Sequence, residues 1–428
     1  MVDGATGSAA GHEARTGAGV LRLVLLGAAI GVPAAFAAAG FLALVHFLET
    51  WLWTDLPSAL GHRTPPWYLV VGLPVAGALI VLAVRRLLPG DGGHRPLQGI
   101  GGGPTPLAAG PGVVLAALGT LPFGAVLGPE APIVAIGSVL GVAASRLAHL
   151  DARRTQVLST AGSFSAISAL FGGPVVAGML LLEAGLAAGS ALLPALVPGV
   201  VAAAIGYVIF IGFGTWGGLN APGLTVPHLP AYQGLHLYDL LIAIAVGILA
   251  ALLLAGVHRV ASRVERLQQR FGMAPVLVGG GLLVGLLALA ATGLGADSTN
   301  VLFSGQTSLP ALVGAGSVGA LLVLLVGKAL AYAVSLGCGF RGGPIFPAIF
   351  LGVALAAVAT VGFGVSPTLA IAVGTAAGMA AQARLLFSPL VFAALLVGHA
   401  GTDAVPAVAL ASATAWLAAQ ALTGRKHT

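Results

Sequence analysis

The chain has 428 residues, of which 58% are hydrophobic and only 7% carry a formal charge, and its mean hydropathy is +1.04. Soluble domains average about 25% charged residues, so this chain has too little charge to cover a water-facing surface. Its net charge of +6 comes from basic residues that cluster beside apolar runs, as the positive-inside rule predicts. These features exclude a soluble protein and argue against nucleic acid as a partner.

In chain order, residues 1–19 are small and polar, and we expect a disordered N-terminal tail there. Ten apolar stretches follow, and many reach the ~20 residues that a helix needs to cross a bilayer. The predicted fold class is therefore an all-α polytopic membrane protein. The basic clusters predict that both termini are cytoplasmic, and the expected location is the plasma (inner) membrane. The apolar stretches are 20–48, 67–84, 112–127, 164–182, 192–213, 238–257, 275–293, 310–336, 344–373 and 389–421.

Two glycine-proline motifs recur at a spacing of 215 residues. Residues 128–137 read GPEAPIVAIG, and residues 343–352 read GPIFPAIFLG. The same spacing pairs Pro174 with Pro389, so the register is kept over more than one helix length. Low sequence complexity alone does not explain this constant spacing, so we interpret the chain as a two-fold internal repeat.

The repeat predicts one transmembrane domain, residues 20–426. Its halves are about 20–210 and 235–425, and 214–237 is the linker between them. Such repeats are typical of transporters, in which a site lies between the halves near the membrane midplane. The spacing by itself is compatible with either parallel or inverted repeats.

The two motifs predict helix N-termini inside the membrane. Proline is favoured in a first turn, so Gly128 and Gly343 precede helices whose first amides have no partner within the helix. Such amides bind an anion without a full positive charge. A phosphate or sulfate site would have more Arg or Lys, so a small anion of low charge is expected. A third glycine-rich loop, at 98–106, contributes three more candidate anion-binding residues: Gly101, Gly102 and Gly103.

Glu130 is the acidic residue of the first motif. Carboxylates are costly in hydrocarbon and are usually functional there. At a helix N-terminus, the charged carboxylate would compete with the anion for the same amides and leave when protonated or displaced, which makes it a gate. The alternative is a structural carboxylate that caps its own helix.

These residues resemble those of the CLC family of chloride channels and chloride/proton exchangers, over residues 20–426. GPEAP at 128–132 is similar to the family signature G-(K/R)-E-G-P, and RGGPIFP at 341–347 is similar to G-G-x-F-x-P. The resemblance implies about 18 tilted, partly re-entrant helices in two inverted repeats. It also implies a homodimer in the lipid bilayer with one pore per subunit, and we expect no C-terminal regulatory domain.

The resemblance also implies roles for individual residues. Glu130 matches the gating glutamate, and residues 344–346 match those whose amides hold the central anion. Pro344 has no N–H, so Ile345 and Phe346 are the expected donors. The serine and tyrosine hydroxyls that complete the family's site have no match in this chain, although Thr105 is a candidate substitute.

Two further residues have more than one interpretation. Glu183 matches the first acid of a proton-relay pair whose second acid is replaced by Ala184, and it is also readable as a helix-end acid near water. Arg341 precedes the second motif, and we expect it either to add positive potential to the anion vestibule or to pair with a carboxylate such as Glu183.

The function predicted is transport of a small monovalent anion, with chloride the expected ion. Ala184 and the missing hydroxyls slightly favour a passive channel, and the alternative is a proton-coupled exchanger that uses Glu130 and Glu183. A cation site would need clustered carboxylates or unwound carbonyls instead of amides. An intramembrane enzyme would need a nucleophile–base pair or a metal cluster, and neither H-E-x-x-H nor G-x-S-x-G occurs. We expect no enzymatic activity, cofactor or metal.

Overall fold

The computed structural model describes residues 17–99, 103–185, 192–219, 226, 228–314 and 316–424. In these residues nine helical spans are long and apolar enough to cross a membrane, and β pairing is limited to isolated bridges. The predicted all-α polytopic membrane fold is confirmed. The helices are α1 (Gly17–Thr50), α2 (Leu56–Ala59), α3 (Trp67–Leu87), α4 (Gly110–Leu118), α5 (Glu130–Leu147), α6 (Ala152–Ser168), α7 (Pro174–Gly185), α8 (Leu192–Ile211), α9 (Leu237–Phe271), α10 (Met273–Gly293), α11 (Ser298–Val301), α12 (Leu309–Val313), α13 (Val318–Cys338), α14 (Ile345–Phe363), α15 (Pro367–Ala383), α16 (Phe387–Val397) and α17 (Val405–Gly424).

Several helix ends follow from local chemistry. The Asp151 carboxylate accepts a hydrogen bond from the Arg154 amide at 2.8 Å and so caps the start of α6. At their C-terminal ends, α13 and α14 are followed by Gly339 and Gly364, whose φ angles are +115° and +71°. Glycine adopts a positive φ without the steric penalty of a Cβ atom, so each of these two helices ends where a glycine follows it.

Five of the ten apolar stretches are interrupted, which hydropathy does not show. The stretch 112–127 leaves helical geometry after Leu118, because Gly119, Pro122 and Gly124 follow in a series of turns. Apolarity reports burial in protein or lipid and does not require one continuous helix. The other four stretches with a break are 164–182, 310–336, 344–373 and 389–421.

The chain divides into two compact units. The first comprises Met1–Gly40, Gly102–Leu107 and Ile133–Gly223. Within it, α5 and α6 approach closely, because Gly137 and Gly141 have no Cβ that would overlap the α6 backbone.

The second unit comprises Phe41–Gly101, Ala108–Pro132 and Leu224–Thr428. Its core is formed by α13, α14 and α15, whose side chains are mostly buried. In this unit α14 packs on α15 at Gly352, which lies against the backbone of Gly374 and Gly378. The first turn of α5, which carries Glu130, also belongs to this unit.

The helix bounds keep the spacing that the motifs predict. Helices α5 and α14 begin 215 residues apart, and α6 and α15 both begin and end at that same separation. The two units are not the two repeats, since the second unit contains residues of both. The repeat limits, 20–210 and 235–425, stay a prediction.

Candidate functional site

The Glu130 carboxyl lies at the N-terminal end of a second helix, α14. Its Oε1 accepts a hydrogen bond from the Ile345 amide, and the amides of Phe346 and of Glu130 itself also interact with the carboxyl. Two helix N-termini therefore face one carboxylate, which is the arrangement that stabilises an anion through amides and helix dipoles. We call Gly128, Glu130, Gly343, Ile345 and Phe346 the amide site.

The two motifs contact each other through equivalent residues. The Gly128 amide donates to the Gly343 carbonyl at 2.8 Å, and the Gly343 amide donates to the Gly128 carbonyl at 2.6 Å. The two glycines are 215 residues apart and so occupy equivalent positions in the two motifs. Each donates to the other, which is the pattern expected of residues related by a local two-fold axis. A Cβ built on either glycine would overlap the Glu130 side chain, so a larger residue at either position would displace the carboxyl from where it lies here.

The amide site is closed off from solvent. Glu130 is 0% exposed, and Ile345 and Phe346 are buried with it. The Oε2 atom of Glu130 has no hydrogen-bond partner among the residues that the structure describes. Burying a carboxylate is costly unless hydrogen bonds and dipoles offset the lost hydration. In Glu130, Oε1 is the oxygen that accepts the hydrogen bond from Ile345.

Tyr332, on α13, is fully buried next to this site. Its hydroxyl donates to the Pro344 carbonyl at 2.6 Å, and its phenol lies close enough to Glu130 for an electrostatic interaction. Pro344 is the residue immediately before α14. The phenol therefore anchors the backbone that directs the Ile345 and Phe346 amides towards Glu130.

Lys328 lies one helical turn before Tyr332 and is also fully buried. Its ammonium group lies 4.3 Å from the centre of the Phe350 ring, which α14 supplies. The same group donates to three backbone carbonyls at the end of α11, those of Asn300, Val301 and Leu302, at 2.9, 3.3 and 2.7 Å. These three bonds use all three ammonium protons, so the geometry assigns Lys328 a role in joining α11 to α13 and α14.

Arg341 pairs with Asp91, in the loop after α3. Its Nη2 lies 2.6 Å from Oδ2 of Asp91, and its Nε donates to the Asp91 carbonyl at 2.9 Å. Arg85 binds the same carboxylate through two bonds, of 2.7 and 3.0 Å, and donates to the Gly339 carbonyl at 3.0 Å. We call Arg85, Asp91 and Arg341 the arginine cluster. The carboxylate that the structure places against Arg341 is therefore that of Asp91.

Two opposing effects set the pKa of Asp91. Partial burial raises the pKa of this carboxyl, but the hydrogen bonds and positive charges of Arg85 and Arg341 outweigh that effect. The net result is a pKa below the ordinary value of 3.8, so Asp91 carries its negative charge at physiological pH.

Known proteins share the sequence pattern and the fold of this chain. A family model described as voltage gated chloride channel, Voltage_CLC, matches residues 76–420. The chain belongs to the CLC family. Among its relatives is "Putative ion-transport protein YfeO" of Escherichia fergusonii, 30% identical over 351 residues and aligned over 78% of each chain. A protein of the same name from Shigella boydii is 31% identical over 355 residues, also covering 78% of both chains.

Solved CLC structures share the fold. The structure of a slow cyanobacterial Cl⁻/H⁺ antiporter superposes with a TM-score of 0.75 at 17% identity, covering 94% of this chain and 95% of the other. A CLC-type fluoride/proton antiporter gives a TM-score of 0.71 at 21% identity, covering 94% and 96%. A eukaryotic CLC transporter gives 0.66 at 19% identity, covering 94% and 72%. At these identities the likeness establishes the CLC fold with its inverted repeats.

The other predicted CLC site residues belong to the first unit or lie outside the described residues. Gly103 belongs to the first unit, where it is exposed, and Gly101 and Gly102 lie outside the described residues. Thr105 donates its amide to the Ser138 hydroxyl at 2.8 Å. Glu183 lies half-buried in the last turn of α7, where a helix dipole disfavours negative charge. The roles of these residues stay predictions.

Sequence reasoning missed Tyr332, Asp91 and Arg85. Tyr332 had a detectable signal, since it and Lys328 both interrupt a long apolar run and lie one helical turn apart. Asp91 lies in PGDGG, which reads as an ordinary turn. The contact between Asp91 and Arg341 joins residues 250 positions apart, and no local pattern predicts such a contact.

Proposed function

We propose that this CLC-family chain transports small monovalent anions, with chloride the foremost candidate, and that Glu130 gates the amide site. The observation that supports the proposal is the hydrogen bond that the Glu130 carboxyl accepts from the Ile345 amide. A carboxylate oxygen and a halide ion both accept hydrogen bonds from backbone amides. The group that stabilises this side chain is therefore also suited to an anion of the same charge.

The mechanism follows from this competition. While the charged carboxylate accepts from Ile345, a transported anion lacks that donor. Protonation of Oε2, or displacement of the side chain by an incoming anion, would weaken the hydrogen bonds between the Glu130 carboxyl and the amides. The amides would then be available to the anion. The amides themselves stay fixed, because the Gly128–Gly343 bridge and the Tyr332 hydroxyl hold the two loops in place.

The test is chloride efflux from liposomes that contain the purified protein. Glu130→Gln keeps the size of the side chain and removes the charge, so it should leave chloride efflux in place and abolish its dependence on pH. Glu265→Gln, a glutamate of α9 that pairs with Arg95 outside the amide site, is the matched control and should keep the wild-type pH dependence. The absence of efflux of chloride, fluoride and nitrate from folded wild-type protein would refute the proposal.

Proton-coupled exchange is the second candidate for the transport mode. Two features support it: the buried, partnerless Oε2 of Glu130, and a second carboxylate within the apolar helix α7, Glu183. The solved antiporters of similar fold are consistent with it. Ala184, in place of a second acid, supports the channel. Internal pH recorded together with chloride separates the two modes, because only an exchanger moves protons uphill as chloride flows downhill.

The proposal also includes the assembly and orientation that the resemblance implies. We propose a homodimer in the plasma (inner) membrane with both termini in the cytoplasm and no enzymatic activity. Cross-linking in the membrane tests the dimer. Reporter fusions at each end test the orientation, and a periplasmic signal from either fusion would contradict it.

A further inference from the structure

A cavity lies at one end of the first unit, between the first two turns of α1, α6 and α8. Its volume is about 220 Å³. An apolar cavity of roughly 150 Å³ already accepts a small hydrocarbon molecule, so this one has room for part of an acyl chain. Two of the residues that line it are Arg153 and Arg154, and the other six are apolar: Val20, Leu23, Val157, Pro194, Val197 and Pro198.

The three helices that form the cavity run in the same direction. Near their starts, Leu23, Val157 and Ala195 share one hydrophobic cluster. Further along, the Ser165 hydroxyl donates to the Gly31 carbonyl at 2.7 Å, and a Cβ built on Gly206 would overlap the Ser165 side chain. The starts of α1, α6 and α8, with their positive dipole ends, therefore meet at the end of the unit where the two arginines lie.

The cavity lies where two candidate membrane spans begin, at Gly19 and Pro194. It is open to the surface, because Val20 and Val197 are 41% and 51% exposed. Beside it on α1, Leu25 is 61% exposed, as a side chain that faces lipid would be. Lipid headgroups lie at the depth at which a spanning helix begins, so a lipid in the bilayer can enter the cavity with its headgroup at the arginines.

The arginines beside the cavity are only partly neutralised. Nε of Arg154 lies 3.5 Å from Oδ2 of Asp151, whose other carboxylate oxygen caps α6. Arg153 has no ion-pair partner among the residues that the structure describes. The described part of the first unit has two more basic than acidic residues: Arg22, Arg146, Arg153 and Arg154 against Asp151 and Glu183. Guanidinium groups with unused N–H donors match the oxygens of a phosphate group.

We propose that this cavity binds an anionic phospholipid, whose headgroup phosphate contacts Arg153 and Arg154 and whose acyl chain lies against the six apolar residues. Charge complementarity favours this occupant, since basic pockets between membrane helices suit anionic headgroups. The chain segment before α1 suits the apolar wall less well, because Met1 and Val2 are its only large apolar residues. Lipid binding here does not depend on which ion the amide site transports.

The test measures lipid binding to the purified full-length protein by native mass spectrometry. The probes are phosphatidylglycerol, phosphatidylcholine with the same acyl chains, and inorganic phosphate. We expect one phosphatidylglycerol per subunit and weaker binding of phosphatidylcholine, whose headgroup has no net charge. Inorganic phosphate should not displace the lipid at a similar concentration, because it lacks the acyl chain that the apolar wall buries.

A pair of double substitutions tests the arginines. Arg153→Gln with Arg154→Gln should weaken phosphatidylglycerol binding about thirtyfold, since each basic residue near a lipid surface contributes ~1 kcal/mol. Arg263→Gln with Arg266→Gln makes the same charge change at exposed positions on α9, in the second unit, and should leave binding unchanged.

A second pair of substitutions tests the apolar wall and leaves the arginines in place. Val197→Trp, at a half-exposed position on α8, should block the acyl chain and weaken binding about tenfold, as the loss of about two buried methylene groups predicts. Ile211→Trp, at a position that is 55% exposed at the opposite end of α8, is the control and should bind like the wild type.

Several results would overturn the inference. They are equal binding of the two lipids, equal losses for the two double arginine variants, and displacement of the lipid by inorganic phosphate. Binding that requires removal of residues 2–16 would assign the cavity to the N-terminal tail instead. Anion flux plays no part in these measurements, so a failure of the proposed function and a failure of the lipid site are distinguishable.

Discussion

At the scale of single residues, the amide site depends on groups that fix the backbone as much as on the residues of the motifs. Ile345 and Phe346 supply the amides, but the position of those amides depends on the carbonyl of Pro344. The Tyr332 hydroxyl is the side-chain donor that the structure gives to this carbonyl. Because Pro344 lacks an N–H of its own, this carbonyl is its only backbone hydrogen-bonding group.

Tyr332→Phe should therefore affect both stability and anion binding. Loss of the hydroxyl removes the phenol donor from a buried carbonyl, which should lower the free energy of unfolding by about 1–3 kcal/mol. It should also raise the chloride concentration for half-maximal flux, because the first turn of α14 is held less firmly. Thermal unfolding and liposome flux measure the two effects.

Tyr238→Phe is the control for this prediction, because Tyr238 is 49% exposed on α9. It should change neither quantity. A loss of stability without any change in the chloride dependence of flux would show that Tyr332 holds the fold and does not position the amides.

At the scale of helices, the core of the second unit depends on close approach between the backbones of neighbouring helices. Helices α14 and α15 cross at Gly352, and a Cβ there would overlap the backbone of Gly374 and Gly378. Without a strong hydrophobic force between helices in lipid, such small-residue contacts provide the packing that holds membrane helices together. The α5–α6 crossing in the first unit uses Gly137 in the same way.

Gly352→Ala should destabilise the protein by about 1–3 kcal/mol, because the added methyl group forces α14 and α15 apart. Gly362→Ala is the matched control on the same helix. It is exposed, and no atom lies within 4 Å of the position its Cβ would take. Since alanine favours a helix over glycine by about 1 kcal/mol, the control should be neutral or slightly stabilising. Equal losses for both variants would contradict the packing argument.

At the scale of the whole molecule, one buried thiol reports on global unfolding. Cys338 is the single cysteine of the chain, is 0% exposed, and ends α13 directly before the segment that leads to the amide site. A maleimide should not label the native protein, and labelling should appear together with thermal unfolding. Leu294→Cys, at a position that is 69% exposed in the native state, is the control and should label at once. Rapid native-state labelling of Cys338 would contradict the close packing around α13.

Much of this architecture was predictable from sequence, for a physical reason. The low charge and the apolar stretches are conditions that any membrane-spanning helical protein must meet, and they fixed the fold class. The motif spacing of 215 residues also identified the helices that are equivalent in the two repeats, since α5 and α14 begin at the equivalent residues Glu130 and Ile345. The breaks after Leu118 and at Gly364 were harder to predict, because glycine and proline also occur inside membrane helices.

What the sequence alone determined was the local chemistry of the site: a carboxylate and two sets of free amides, each placed at a helix start by glycine and proline. What only the tertiary structure decided was which groups meet. Glu130 takes its hydrogen bond from the amide of the other motif, and Arg341 finds Asp91 250 residues away. Periodicity and turn chemistry act over a few residues, whereas these contacts depend on how distant helices pack against each other.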